Sequence, residues 1–227
     1  MATRLAHLVV DARQPSLLAG FWSGLLGWEV VPEDGADVEG AVAVRAPEPD
    51  GCQLSLVFVP APGPKTAKNR VHLDLASAGR ERQRSIVDDA VARGATTADV
   101  GQGAVPWVVL ADPEGNEFCV LEPREEYADT GALAAVVVDV REPAALGGFW
   151  SSVSGWDVVR RHPQFTSLRE PGCRGPWLEL LRNADAERTG TRWRLAVAVE
   201  GDAPAGELPG ARLTDPEGNE IAVVTRG

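Results

Sequence analysis

The chain repeats itself, and that repeat limits what it can fold into more than any other feature. Leu5-Ala-His-Leu-Val-Val-Asp-Ala-Arg-Gln-Pro15 answers Leu133-Ala-Ala-Val-Val-Val-Asp-Val-Arg-Glu-Pro143. Gly20-Phe-Trp-Ser23 answers Gly148-Phe-Trp-Ser151, and Gly27-Trp-Glu-Val-Val31 answers Gly155-Trp-Asp-Val-Val159, all in one register. Later, Asp112-Pro-Glu-Gly-Asn-Glu117 answers Asp215-Pro-Glu-Gly-Asn-Glu220 in a shorter register, so the second copy lacks about 25 residues. Two domains of one design are expected: residues 1–124 complete, 125–131 a charged linker over the surface, and 132–227 a truncated copy.

Each copy opens with an apolar strand (Leu5 to Val10, Leu133 to Val138), and Pro15 or Pro143 then starts a helix. Leu17, Leu18, Phe21, Trp22 and Leu25 recur at helical spacing, and Gly27 stops that helix before a strand from Trp28. Further strands are expected at Ala41 to Val44 and Gln53 to Val59, with Phe165 to Leu168 and Trp177 to Leu181 as their counterparts. In the first copy the pattern restarts: strand Val71 to Leu75, helix Arg80 to Arg93, and strands Ala95 to Val100, Trp107 to Leu110 and Glu117 to Leu121. The second copy keeps Trp193 to Val199 and the last hairpin, but Glu200 to Gly210 is too short for a helix and an extra strand. Asp-Pro-Glu-Gly is type I turn chemistry and lacks the alternating oxygen ligands of a calcium loop. The fold class is therefore α+β, built from βαβββ modules.

With 22 basic and 33 acidic residues the net charge of −11 opposes a phosphate backbone, so a small-molecule partner is expected and nucleic acid is not. No apolar run is long enough to span a membrane and no signal-peptide pattern opens the chain, which gives the expectation of a cytoplasmic protein. Cys52, Cys119 and Cys173 are odd in number and lack close metal spacing, as expected of reduced thiols.

The tandem modules, Phe-Trp near the end of the first helix, Gly-Trp before the second strand, His7, His72-Leu-Asp-Leu75 and Asp-Pro-Glu-Gly-Asn together resemble the vicinal oxygen chelate superfamily. That group includes glyoxalase I, bleomycin-resistance proteins and extradiol dioxygenases. The resemblance implies cupped half-barrel sheets and covers nearly the whole chain. It also implies a divalent metal (zinc, iron, nickel or manganese) held from the first, fourth, fifth and eighth strands. Those positions fall on His7, on Gln53 or Ser55, on His72 and on Cys119, where the family usually has a Glu; Glu117 shares the face of Cys119.

Without the resemblance, His7 and His72 are equally cavity-facing histidines satisfied by hydrogen bonds, and Cys119 a small buried hydrophobe. Asp74 shares the parity of His72 and is placed to orient the imidazole or to line the cup. In the second copy His7 becomes Ala135, His72 becomes Arg194, Cys119 becomes Ala222, Gln53 becomes Trp177 and Ser55 becomes Glu179. Phe149, Trp150 and Trp156 persist there, which marks them and their counterparts as core. That copy offers either an aromatic, Arg-anchored pocket or a packing surface; the expectation is that it packs on the first as an intramolecular pseudo-dimer partner, and a homodimer is compatible with this.

Three functions stay open. One is a small-molecule-binding protein with its cavity in the first domain, lined by His7, Gln53, His72, Asp74, Trp107 and Cys119. Another is a metal-dependent lyase, isomerase or dioxygenase acting on vicinal oxygens. The third is an interaction protein with no small-molecule role.

Overall fold

The computed structural model describes residues 3–32, 38–46, 54–183, 191–199 and 212–225. Four modules follow one another. The first holds β1 (Thr3–Ala12), α1 (Pro15–Leu26), β2 (Glu29–Pro32), β3 (Val42–Arg45) and β4 (Ser55–Pro60). The second holds β5 (Val71–Leu75), α2 (Arg80–Ala92), β6 (Thr96–Thr97), β7 (Val108–Ala111) and β8 (Glu117–Val120). The third holds β9 (Leu133–Val140), α3 (Pro143–Ser154), β10 (Asp157–His162), β11 (Phe165–Arg169) and β12 (Trp177–Arg182). The fourth keeps β13 (Trp193–Val199), β14 (Arg212–Thr214) and β15 (Glu220–Thr225) among the described residues. Most of the expected elements appear within a residue or two. The gap at residues 200–210 and the ligand position Gln53 lie outside the described residues.

The sheets do not follow the copies. One runs β14-β15-β13-β1-β4-β3-β2, joining the fourth module to the first, and the other runs β10-β11-β12-β9-β5-β8-β7-β6, joining the third to the second. Antiparallel pairs close each seam: Leu8 opposite Leu195 on β1 and β13, and Leu73 opposite Val136 on β5 and β9. Each mixed sheet thus joins one module of the first copy to one module of the second.

Strand alternation decides which face is core. Leu8, Val10 and Ala12 on β1 and Leu56 and Phe58 on β4 are fully buried in the main cluster under the helices, while His7, Val9 and Asp11 take the opposite face. α1 adds Leu18, Phe21, Trp22 and Leu25 to that cluster. Burying each such side chain is worth roughly 1.5–3 kcal/mol. Trp22 meets Phe118 edge-on at 5.1 Å and Trp193 at 5.6 Å, so one indole ties three modules together. α1 ends where Gly27, at φ 71°, takes the left-handed conformation that closes the helix, and Gly155 at φ 74° does the same for α3.

The repeated Asp-Pro-Glu-Gly-Asn turn also has a structural purpose in each copy. Asp112 accepts the Trp22 indole N–H at 3.2 Å, and Asp215 accepts that of Trp150 at 3.3 Å. Glu114 accepts the backbone N–H groups of Arg13 and Gln14 at 2.9 and 2.8 Å, just before α1. Glu217 repeats this on Arg141 and Glu142, at 2.7 and 2.8 Å, before α3. A carboxylate there meets unpaired amides and the positive end of the helix together. The motif therefore clamps a helix start and is not part of a ligand site.

β6 is shorter than expected. The Asp99 carboxylate accepts the Gly101 N–H and the Gln102 side chain accepts the Val100 N–H, so local bonds replace the ladder as the chain turns through Gly101 at φ 80°.

Candidate functional site

The register of the eight-stranded sheet lays out a cup row by row. Across β8, β5, β9 and β12, Cys119 stands opposite Asp74, Asp74 opposite Ala135, and Ala135 opposite Trp177. One step along, His72 stands opposite Val137 and Val137 opposite Glu179. One step further, Asp139 stands opposite Leu181, which faces Phe165 on β11. Two-residue alternation keeps these side chains on one face. Between them lies a cavity of about 380 Å³, with Trp107, Val109, Leu121, Val137, Phe165 and Leu181 among its apolar walls.

His72, Asp74 and Cys119 form the polar floor, and their ligating atoms all lie within 4.8 Å of one another. His72 Nε2 is 3.4 Å from Asp74 Oδ1, near enough for attraction but not aligned as a hydrogen bond, so the buried Oδ1 receives no donor. Burial pushes the Asp74 carboxyl above the usual carboxylate range, opposed mainly by the charge of His72. The Cys119 thiol is pushed far up by burial and then by the Asp74 charge, which keeps it protonated. On the other side of β9, Glu179 accepts hydrogen bonds from the Tyr127 hydroxyl at 3.0 Å and Ser167 Oγ at 3.1 Å. Burial raises Glu179 also, with Asp74 adding to the effect.

Arginines at the mouth are each paired with a carboxylate, Arg124 with Glu122 at 2.8 Å, Arg160 with Glu126 at 3.7 Å and Arg182 with Glu142 at 3.3 Å. Arg124 sits over the Trp107 ring at 5.7 Å, and Arg160 lies over Phe165 at 5.4 Å and Trp177 at 5.7 Å. The side chains of Arg160 and Arg182 are 42% and 37% exposed, against 13% and 12% for His72 and Asp74, so ion pairs line the opening and His72 and Asp74 lie deeper.

His72, Asp74, Cys119 and Trp107 are thus brought together, and His7 is not. It lies on β1 in the seven-stranded sheet, beside Ser55 and Ala196, because the first module pairs with the fourth rather than the second. Burial, helped by Arg45, lowers its imidazole to about 4 and so keeps it neutral. Glu117 lines the cavity but is committed: Lys65 Nζ pairs with it at 2.5 Å and the Asn69 N–H at 3.2 Å. Residues of both copies line the cavity.

Three contributors were not expected. Tyr127 lies in the predicted surface linker, yet it sits in a turn of 3-10 helix (Glu125–Tyr127) and is buried against Trp177 with ring centroids 6.1 Å apart. An aromatic residue in an otherwise charged linker is the signal that marks it. Arg124 and Arg160 give no such signal, since an arginine over an aromatic ring looks like any surface cation until the fold places the ring.

The sequence profile of the glyoxalase-like domain matches residues 7–121 and 135–224. No curated protein matches the chain significantly. Among solved structures, a point mutant of glyoxalase I from Zea mays aligns with a TM-score of 0.67 at 16% identity, covering 99% of this chain and 94% of its own. A Bacillus subtilis protein provisionally assigned as a dioxygenase aligns with a TM-score of 0.63 at 12% identity, covering 98% and 84%. At these identities the likeness concerns the fold.

Proposed function

The chain belongs to the glyoxalase-like domain family, and from that premise we propose that it binds a small molecule in the cavity built between its two copies. The observation that carries this is the cavity itself, about 380 Å³ of open space with apolar walls and a buried polar floor. Apolar surface supplies affinity, and a few fixed polar groups supply orientation. A pure interaction protein gains nothing from an open cavity floored by buried acids, which cost free energy to desolvate.

A second function, metal-dependent chemistry, is favoured by one observation: the nitrogen, oxygen and sulfur donors of His72, Asp74 and Cys119 converge, and Asp74 Oδ1 has no donor of its own. This three-donor set fits a borderline cation such as zinc with one position left open. His72, Asp74 and Cys119 would hold the ion, and Val137 and Trp107 would exclude water beside it. When bound, such an ion supplies Lewis-acid polarisation of an oxygen-bearing ligand. Binding it also requires the Cys119 thiol to lose its proton, so metal uptake should release protons.

Both functions are tested on tag-free protein. Calorimetry with a broad panel of aromatic and polyketide-like compounds is expected to find saturable binding that weakens about tenfold or more in Trp107→Ala. A panel with no binder would refute the small-molecule function. Stoichiometric zinc that disappears in His72→Ala with Cys119→Ser would support the metal-dependent one; substoichiometric metal unchanged by those substitutions would end it.

A further inference from the structure

The chain's only two lysines are both spent on acids that line the cavity. Lys65 Nζ pairs with Glu117 at 2.5 Å, and Lys68 Nζ pairs with Asp139 at 2.8 Å. A third lining acid, Glu126, is met by Arg160 at 3.7 Å, while Arg124 and Arg182 are committed to Glu122 and Glu142. Two lining carboxyls are left over, Asp74 and Glu179, and among the described residues no lysine or arginine nitrogen pairs with either. Asp74 has the Cys119 thiol beside it and the His72 imidazole at 3.4 Å, the latter not aligned as a hydrogen bond, and its Oδ1 has no donor. Glu179 accepts from two neutral hydroxyls, Tyr127 at 3.0 Å and Ser167 at 3.1 Å, both on Oε1, which leaves Oε2 without a donor. Burial and then the Asp74 charge raise the Glu179 carboxyl against those hydroxyls and the more distant Arg160, as expected of an acid that lacks a counter-ion.

A carboxylate in a wall of low polarity is stabilised by a cation at contact distance, which is how the lining meets Glu117 and Asp139. An ammonium carries three donors and no acceptor, the complement of two carboxyl groups that can still accept. The net charge of −11 adds a field that draws small cations and repels anions. We propose that the cavity takes an arylalkyl amine, bound as its ammonium ion, with the charged group at the floor between Asp74 and Glu179 and the ring against Trp107, Phe165 and Val137. This deepens the proposed small-molecule function and rests on it. An anionic ligand would be opposed by the same two acids. A divalent ion on His72, Asp74 and Cys119 does not serve in its place, because Glu179 stands across β9 outside that donor set and keeps its unmet oxygen.

The test places three head groups, aminomethyl, hydroxymethyl and carboxylate, on each of two skeletons, biphenyl and naphthalene. Calorimetry is run near neutral pH on the full chain after chelator treatment, so that no ion meets Asp74. On a skeleton that binds, the amine is expected to be held about tenfold or more tighter than the alcohol, and the carboxylate more weakly than either. Glu179→Gln should bring the amine to within about threefold of the alcohol, and Asp74→Asn should weaken the amine by about threefold or more, neither changing the alcohol. Glu81→Gln, which removes the same charge from an exposed position in the first turn of α2, should leave the preference as it is. Wild-type-like circular dichroism checks that the variants fold, and the wild-type ranking of the head groups is decisive without them. Equal binding of the three head groups, or tighter binding of the carboxylate, would overturn this inference while keeping the cavity as a binding site. An amine preference that survives Glu179→Gln, or that falls as far in Glu81→Gln, would overturn it as well. Binding of none would overturn it too, and the proposed function would then stand or fall with the broad compound panel.

Discussion

Replacing His7 with Gln should abolish a definable part of the protein's acid sensitivity. His7 sits on β1 with its imidazole buried, and its folded-state value of about 4 lies below the ordinary 6.5. Between those two values the unfolded chain holds more protons than the folded one, so stability rises with pH across the window. It is complete above about pH 6.5, declines as pH falls, and levels off near pH 4. At about 1.4 kcal/mol per tenfold difference in proton affinity, the effect is at most ~3 kcal/mol. Asp112, raised to about 6 by burial, runs the opposite way, because its folded form holds the proton more readily and loses stability as pH rises. The wild-type profile alone therefore shows a partial cancellation, and the difference between His7→Gln and wild type isolates the histidine. Scanning calorimetry from pH 4 to 7.5 should show wild type losing roughly 5–10 °C more than the variant on acidification. Parallel profiles would refute the burial of a neutral imidazole at His7.

Two further outcomes follow from the topology. Glu114→Ala and Glu217→Ala should each cost about 3 kcal/mol in urea unfolding, since each leaves two amides at a helix start unmet and strands a buried arginine, Arg192 at 3.5 Å or Arg70 at 3.8 Å. Residues 1–124 expressed alone should self-associate, because β1 and β5 each lose a seam partner from the second copy; a stable monomer by light scattering would contradict the cross-copy sheets.

Individual elements are legible in the sequence because local rules decide them. Pro15 and Pro143 open helices, Gly27 and Gly155 close them, and the Phe-Trp pairs recur at positions that only a core can bury. The pairing of modules is not legible. Val71–Leu75 and Trp193–Val199 offer β1 equivalent apolar ladders, so alternation cannot say which will join it. That choice sends His7 and His72 to different sheets. The His72, Asp74 and Cys119 set survives because its members come from one module, whereas Tyr127, Arg160 and Glu179 become neighbours of that set only through the seam between β5 and β9.

The cross-copy pairing also changes what the loss of donors in the second copy means. Had each copy closed on itself, the first would have kept His7, His72 and Cys119 together and the second would have had none. Instead each sheet receives one module from the eroded copy. The eight-stranded sheet gains Ala135 and Glu179 beside His72 and Cys119, and the seven-stranded sheet gains Arg194 and Ala222 beside His7 and Ser55. In the seven-stranded sheet, Arg194 is bound to Asp11 by a pair of charge-assisted contacts, which spends the cation on structure. In the eight-stranded sheet the exchange of an imidazole for the Ala135 methyl removes a ligand, while Glu179 adds a buried acid held by Tyr127. Substitutions that look like decay along the sequence thus become, in the folded chain, the features that distinguish one cup from the other.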